Sequence, residues 1–92
     1  MAFSHDFSIG LKEILKKLFK KDKKKYGILI KKVEEICSSD ESTIERYKNL
    51  KYPFNDRKRV HIDKNFVLTL KVDLEKKFIL FLDFDHHDNI YK

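Results

Sequence analysis

The sequence predicts an α+β fold: an N-terminal helical hairpin packed on one face of a small antiparallel sheet of three to four strands. Three observations carry that expectation. Before Pro53 apolar residues recur every third or fourth position, as on one side of a helix; after it they recur every second position, as in a strand. The strand-like runs are separated by short polar connections, which favours an antiparallel meander. A sheet with one apolar face must be covered, and two amphipathic helices can cover it. With 92 residues, 41% of them hydrophobic, the chain is long enough for one core and too short for two, so residues 1–92 are expected to form a single domain. The charged fraction is 39%, yet eight Phe and four Tyr supply enough apolar surface to set the chain apart from disordered sequences.

The first stripe, Phe7, Leu11, Ile14, Leu15 and Leu18, predicts a helix that Ser4 or Asp6 can cap. A polar break from Lys21 to Lys24 separates it from a second stripe, Tyr26, Leu29, Ile30, Val33, Ile36 and Cys37. Cys37 lies on the apolar side of that helix, where a thiol serves as a small buried hydrophobe, and the only cysteine of the chain forms no internal disulfide. Ser38, Ser39 and Asp40 end the second helix, and Ile44, Tyr47 and Leu50 suggest one more short helical stretch. Val60 and Ile62 then alternate with Arg57, Arg59 and His61, and Phe66, Leu68, Leu70 and Val72 alternate with Val67, Thr69, Lys71 and Asp73. In the last strand Phe78, Leu80, Leu82 and Phe84 are expected to form one apolar set, with Ile79, Phe81, Asp83 and Asp85 on the other face. Turns are expected at Asp63–Lys64 and Glu75–Lys76, and Ala2 to His5 can add an edge strand.

Charge is local. The chain carries 21 Lys and Arg against 15 Asp and Glu, a net +6, and Lys16, Lys17, Lys20, Lys21, Lys23, Lys24 and Lys25 are opposed only by Asp22 within their own segment. Such a run suits a polyanion such as RNA, although lysines on a helix also serve simply as a solvated face. No apolar run is long enough to span a bilayer and no signal-peptide pattern opens the chain, so a cytoplasmic protein without membrane attachment is expected.

The outward side of the strands is the candidate site. It gathers Arg57, Arg59, His61, Thr69, Lys71, Asp83 and Asp85, and one further extended step would add His87. A charged outer face is ordinary for a half-buried sheet, but histidine adds chemistry, because it gives and takes protons near neutrality. Attack of a ribose 2′-hydroxyl on its own phosphate needs a base, an acid and cations for the pentacovalent phosphorane, and no metal or cofactor. His61 and His87 can supply the proton transfers, and Arg59, Arg57 or Lys58 the positive charge. Tyr52, Phe66 and Tyr91 can stack an unpaired base, although Phe66 has core parity, which favours packing. There is neither a glycine-rich phosphate loop nor a nucleophile elbow. The tail from Asp83 to Asp88 has the composition of a metal site, and a strand would place Asp83, Asp85 and His87 together, which leaves a divalent ion as a minor alternative to a metal-free site.

Taken in order, the helical hairpin, the stretch Leu50 to Pro53, the stretch Arg57 to Leu68 and the tail Phe84 to Tyr91 resemble the RelE/ParE superfamily of toxins, with the nearest likeness to the YafQ-type mRNA interferases. The resemblance implies a ribosome-dependent endoribonuclease that cuts mRNA in the A site without a metal, held inactive by a cognate RelB-like antitoxin. The family's Arg, His, acidic and Trp pattern falls on Arg59, His61, Asn65 and Phe66, its C-terminal proton donor on His87, and the aromatic four residues on at Tyr91. Asn65 replaces the acidic residue and cannot act as a base, so His61 is the remaining proton acceptor. Arg57, Lys58, Asn65, Phe66 and Tyr91 are then expected to bind mRNA, and the seven lysines to hold ribosomal RNA. The alternatives are a ParE-like member that inhibits gyrase by binding it, and a basic nucleic-acid-binding domain without activity.

Overall fold

A computed structural model describes residues 3–90. The elements are β1 (Ser4–Phe7), α1 (Ile9–Lys21), α2 (Lys23–Cys37), α3 (Glu41–Arg46), β2 (Lys58–Ile62), β3 (Phe66–Asp73), β4 (Phe78–His86) and α4 (His87–Ile90). The sheet runs β1-β4-β3-β2. The meander of β2, β3 and β4 is antiparallel, as the short connections require, while β1 joins β4 in parallel and makes the sheet mixed. The edge strand therefore begins at Ser4, whereas the expected Ala2 lies outside the described residues.

Phe7 ends β1 instead of opening α1, although it is in phase with the helical stripe. The cause is Ser8. Its Oγ accepts the Leu11 N–H at 3.1 Å and donates to the Leu82 carbonyl at 2.6 Å, so one hydroxyl caps the helix and pins its start to the sheet. Ser4 and Asp6, the expected caps, lie in the strand. The Asp6 carboxyl is held below the ordinary carboxylate range by the Phe7 N–H and the nearby Lys12 ammonium. A single residue, Asp22, separates α1 from α2 and caps the second helix through the Lys25 N–H at 3.0 Å. Asp40 does the same for α3 through the Thr43 N–H, and that bond is the main reason its carboxyl is also lowered.

The core lies between the helices and one sheet face. Leu11, Leu29, Val33, Ile36 and Ile44 meet Val60, Ile62, Leu68, Leu70, Ile79, Phe81 and Phe84. Cys37 joins them, and burial raises its thiol pKa. The expected parity of β4 is corrected here: Ile79 and Phe81 are buried, while Phe78, Leu80 and Leu82 are only half-buried. Thr69 pairs with Asp83 but Leu70 pairs with Phe81, so Leu82 is the extra residue of a β-bulge. The bulge lets Phe81 and Phe84 face the same core, and it turns Asp83 and Asp85 to the other side. Phe81→Ala is expected to cost about 3–5 kcal/mol, a large share of the roughly 5–15 kcal/mol that holds a domain together, because the ring is completely buried at the centre of the sheet. A urea melt that moved by less than about 1 kcal/mol would contradict this placement.

Candidate active site

The outward face of the sheet begins with β2. Arg59 stands opposite Thr69, which in turn stands opposite Asp83; His61 stands opposite Val67, which stands opposite Asp85. Two rows of side chains thus cross three strands. Val67 and Thr69 are almost fully buried although they point away from the helices, and Val67 is not part of the main core. α4 packs against β3 and β4. Among the described residues the Thr69 hydroxyl has no hydrogen-bond partner.

The chain leaves its extended path at His87, which opens α4 rather than adding a strand residue. The ring nevertheless reaches the outward face: His61 and His87 lie with centroids 5.8 Å apart and planes at 28°. Backbone and side-chain hydrogen bonds around the ring hold this arrangement. The His87 N–H donates to the Asn65 carbonyl at 2.7 Å, and the Asp85 carboxylate accepts the His86 N–H at 2.7 Å and the Asn89 side-chain amide at 3.0 Å. A one-turn helix is too short to persist alone, so this clasp supplies the order that α4 cannot supply itself. Asp88 lies 3.7 Å from Nδ1 of both His86 and His87. Asn89→Ala is expected to speed hydrogen exchange at the His87 amide by about tenfold while changing global stability by less than about 0.5 kcal/mol, since the lost bond is exposed. Unaltered exchange at that amide would show that the clasp holds nothing.

A cleft of about 310 Å³ opens beside His61, lined by Arg46, Tyr47, Lys48, Arg59, Val60 and His61. Three cations and an imidazole around one depression suit a phosphate. Arg46 and Lys48 were absent from the sequence-based candidates. They come from the end of α3 and the segment after it, and the Arg59 N–H binds this segment through the Lys48 carbonyl at 2.9 Å. No spacing within the chain announces a contact of that kind.

The remaining candidates are scattered. Lys58 has core parity, and its ammonium donates to the Tyr47 carbonyl and Asn49 Oδ1, both at 3.1 Å, so it faces away from the histidine pair. Arg57 sits in the loop before β2 with its guanidinium 4.8 Å over the Phe54 ring. Asn65 is in the β2–β3 turn and contributes its carbonyl to His87. Phe66 lies on the helical side, stacked on Phe84 at 5.2 Å, with the Lys25 ammonium 3.8 Å above its ring. Tyr52 is exposed, and Tyr91 lies outside the described residues. Lys16, Lys17, Lys20, Lys21, Lys23 and Lys24 are exposed on the hairpin, whereas Lys25 is half-buried. Among the described residues no three His, Cys, Asp or Glu side chains converge as metal ligands would, so Asp83, Asp85 and His87 do not close on a point. Among them, too, no helix is long and apolar enough to cross a membrane.

No family model matches the sequence. A protein of Methanocaldococcus jannaschii named "Putative toxin RelE4" is 56% identical over 83 residues, which span 90% of this chain and 84% of that one. The chain belongs to the RelE toxin family. A protein of Methanosarcina mazei described only as uncharacterized is 49% identical over 75 residues, 82% of this chain and 83% of its own. The fold of this RelE-family chain also matches a chain of the toxin-antitoxin complex RelBE2 from Mycobacterium tuberculosis, with a TM-score of 0.76 over 95% of this chain and 93% of that one, at 14% identity. These relatives support the family without separating out the narrower YafQ-type group.

Proposed function

We propose that this chain is the toxin of a type II toxin-antitoxin system and acts as a ribosome-dependent endoribonuclease on mRNA. The observation that carries the reading is the pair His61 and His87, facing each other at 5.8 Å, with Arg59 on the same sheet face as His61 and lining the same cleft. A phosphate seated over this face touches both imidazoles. His61 accepts the proton of the 2′-hydroxyl, which attacks phosphorus in line, and His87 gives a proton to the departing 5′-oxygen. Arg59 supplies charge where the phosphorane becomes negative, and Arg46 and Lys48 hold the flanking backbone. The histidine rings are half-buried or exposed, as a substrate threaded through another machine requires.

The reading extends to partners. Family membership and the complex that contains the structural relative support a RelB-like antitoxin, and the exposed lysines of α1 and α2 suit ribosomal RNA. The test is primer extension on a defined message in a purified translation system, with and without ribosomes. Cuts that require ribosomes and fall at A-site codons are expected. No cuts, with translation and the message both intact, would move the reading to a toxin that works by binding a protein target, in the manner of ParE.

A further inference from the structure

The cleavage chemistry uses only part of the segment that joins α3 to β2. Over residues 46–59 the chain carries Arg46, Lys48, Lys51, Arg57, Lys58 and Arg59 against the single carboxylate of Asp56, six cations to one acid and a net +5. Two large aromatic side chains stand among these cations in solvent, Tyr52 at 87% exposure and Phe54 at 49%. A single exposed apolar residue is ordinary, but here an ordered loop presents both. The Leu50 N–H donates to the Arg57 carbonyl at 2.8 Å, the Phe54 N–H to the Lys51 carbonyl at 2.9 Å and the Arg57 N–H to the Phe54 carbonyl at 3.0 Å. The Asn49 side-chain amide adds a bond to the Asn55 carbonyl at 3.0 Å.

The loop stands beside the candidate site. Lys48 lines the same cleft as Arg59 and His61, and its carbonyl accepts the Arg59 N–H. Asp56 lies 3.4 Å from the ammonium of Lys71, which alternates with the buried Leu70 of β3 and so belongs to the outward face. The one acid of the segment is thus met by a cation from outside it, and the field around the rings stays positive. The Arg57 guanidinium, 4.8 Å over the Phe54 ring, adds a second flat surface, while the faces of Tyr52 are open.

An open ring among cations suits a single strand of nucleic acid: the ring takes the face of a base and the cations take its phosphates. A duplex has no use for the ring, because its bases are already stacked. A protein partner would have to desolvate the cations in order to bury the two rings. We propose that the loop between α3 and β2 is a base-binding subsite, in which Tyr52 stacks an unpaired base of the message beside the cleft. Naming the message rests on the cleavage reading above; stacking of an unpaired RNA base does not. Because the loop runs into the cleft at Lys48, the base belongs to a nucleotide near the scissile phosphate, and the subsite bears on which codons are cut.

The test is fluorescence anisotropy with the full-length chain and a labelled single-stranded 2′-O-methyl RNA of about eight nucleotides, whose attacking hydroxyls are blocked. Saturable binding is expected, weakened about tenfold by Tyr52→Ala and little changed by Tyr52→Phe, which keeps the ring. A duplex of the same sequence and an abasic strand of the same length should bind the wild type and Tyr52→Ala alike. Unchanged binding of the single strand by Tyr52→Ala would leave the rings for a protein surface and overturn the proposal. So would an abasic strand with the same dependence on Tyr52, which would reduce the loop to a phosphate contact. On ribosomes, Tyr52→Ala should redistribute cuts among codons at unchanged ribosome affinity. A fall in that affinity with the codon pattern intact would assign the base to ribosomal RNA and overturn the choice of the message. The blocked strand is bound without ribosomes and without cleavage, so failure of this subsite and failure of the cleavage reading are told apart.

Discussion

His87→Ala is expected to remove ribosome-dependent cleavage, lowering its rate about 10²- to 10⁴-fold, while the fold survives. The structure separates these two effects unusually well. The side chain is 46% exposed, and the bond from the His87 N–H to the Asn65 carbonyl belongs to the backbone and persists in alanine. Nor does the Asp85 clasp involve the His87 side chain, since it engages the His86 N–H and Asn89. Thermal unfolding of the variant should therefore track the wild type to within a few degrees. Single-turnover cleavage on stalled ribosomes is the decisive measurement, because it isolates chemistry from ribosome binding. A variant that still binds ribosomes and cuts at the wild-type rate would remove His87 from the reaction. His61→Ala should fall by a comparable factor if it takes the 2′-hydroxyl proton, since the neighbouring Asn65 has no basic side chain to substitute.

The sheet and the hairpin were readable in the sequence because each is amphipathic at its own period. β4 was not, and for a physical reason. From Phe78 to Leu82 both parities are apolar, so alternation cannot say which face is buried, and the choice falls to the bulge at Leu82. The same bulge sets the candidate face: without it, Asp83 and Asp85 would share the side of Ile79 and Phe81. Phe7 belongs to a similar class, since its spacing fits α1 but the bonds of Ser8 to Leu11 and Leu82 start the helix after it.

At the candidate site, strand parity was enough for Arg59 and His61, and it should also have placed Lys58 with Val60 and Ile62, away from them. Two arginines flanking Lys58 made the three cations look equivalent. His87 reaches the site by a route that alternation does not describe, a one-turn helix tied back to Asn65. Arg46 and Lys48 arrive through a backbone contact between segments distant in sequence, which leaves no trace in local spacing.

Arg59→Ala carries the other large expectation, a loss of about 10²-fold or more in the cleavage rate. Its position explains why charge alone is insufficient. Lys58 and Arg57 are its neighbours in sequence, yet Lys58 is turned to the far side and Arg57 rests on Phe54, so neither replaces a guanidinium that lines the cleft beside His61. The backbone bond from Arg59 to Lys48 remains in the variant, and the cleft keeps its wall. Arg59→Lys is expected to recover only part of the activity, because an ammonium retains the charge but not the paired, planar donors that match two phosphoryl oxygens. The kinetic split decides what the charge does. If Arg59 stabilises the phosphorane, single-turnover rate falls while ribosome affinity holds; if it only gathers phosphate, affinity falls and the rate at saturation holds. An arginine opposite the buried Thr69, on the face of His61 and lining the same cleft, suits the first outcome, and the second would reassign Arg59 to substrate binding.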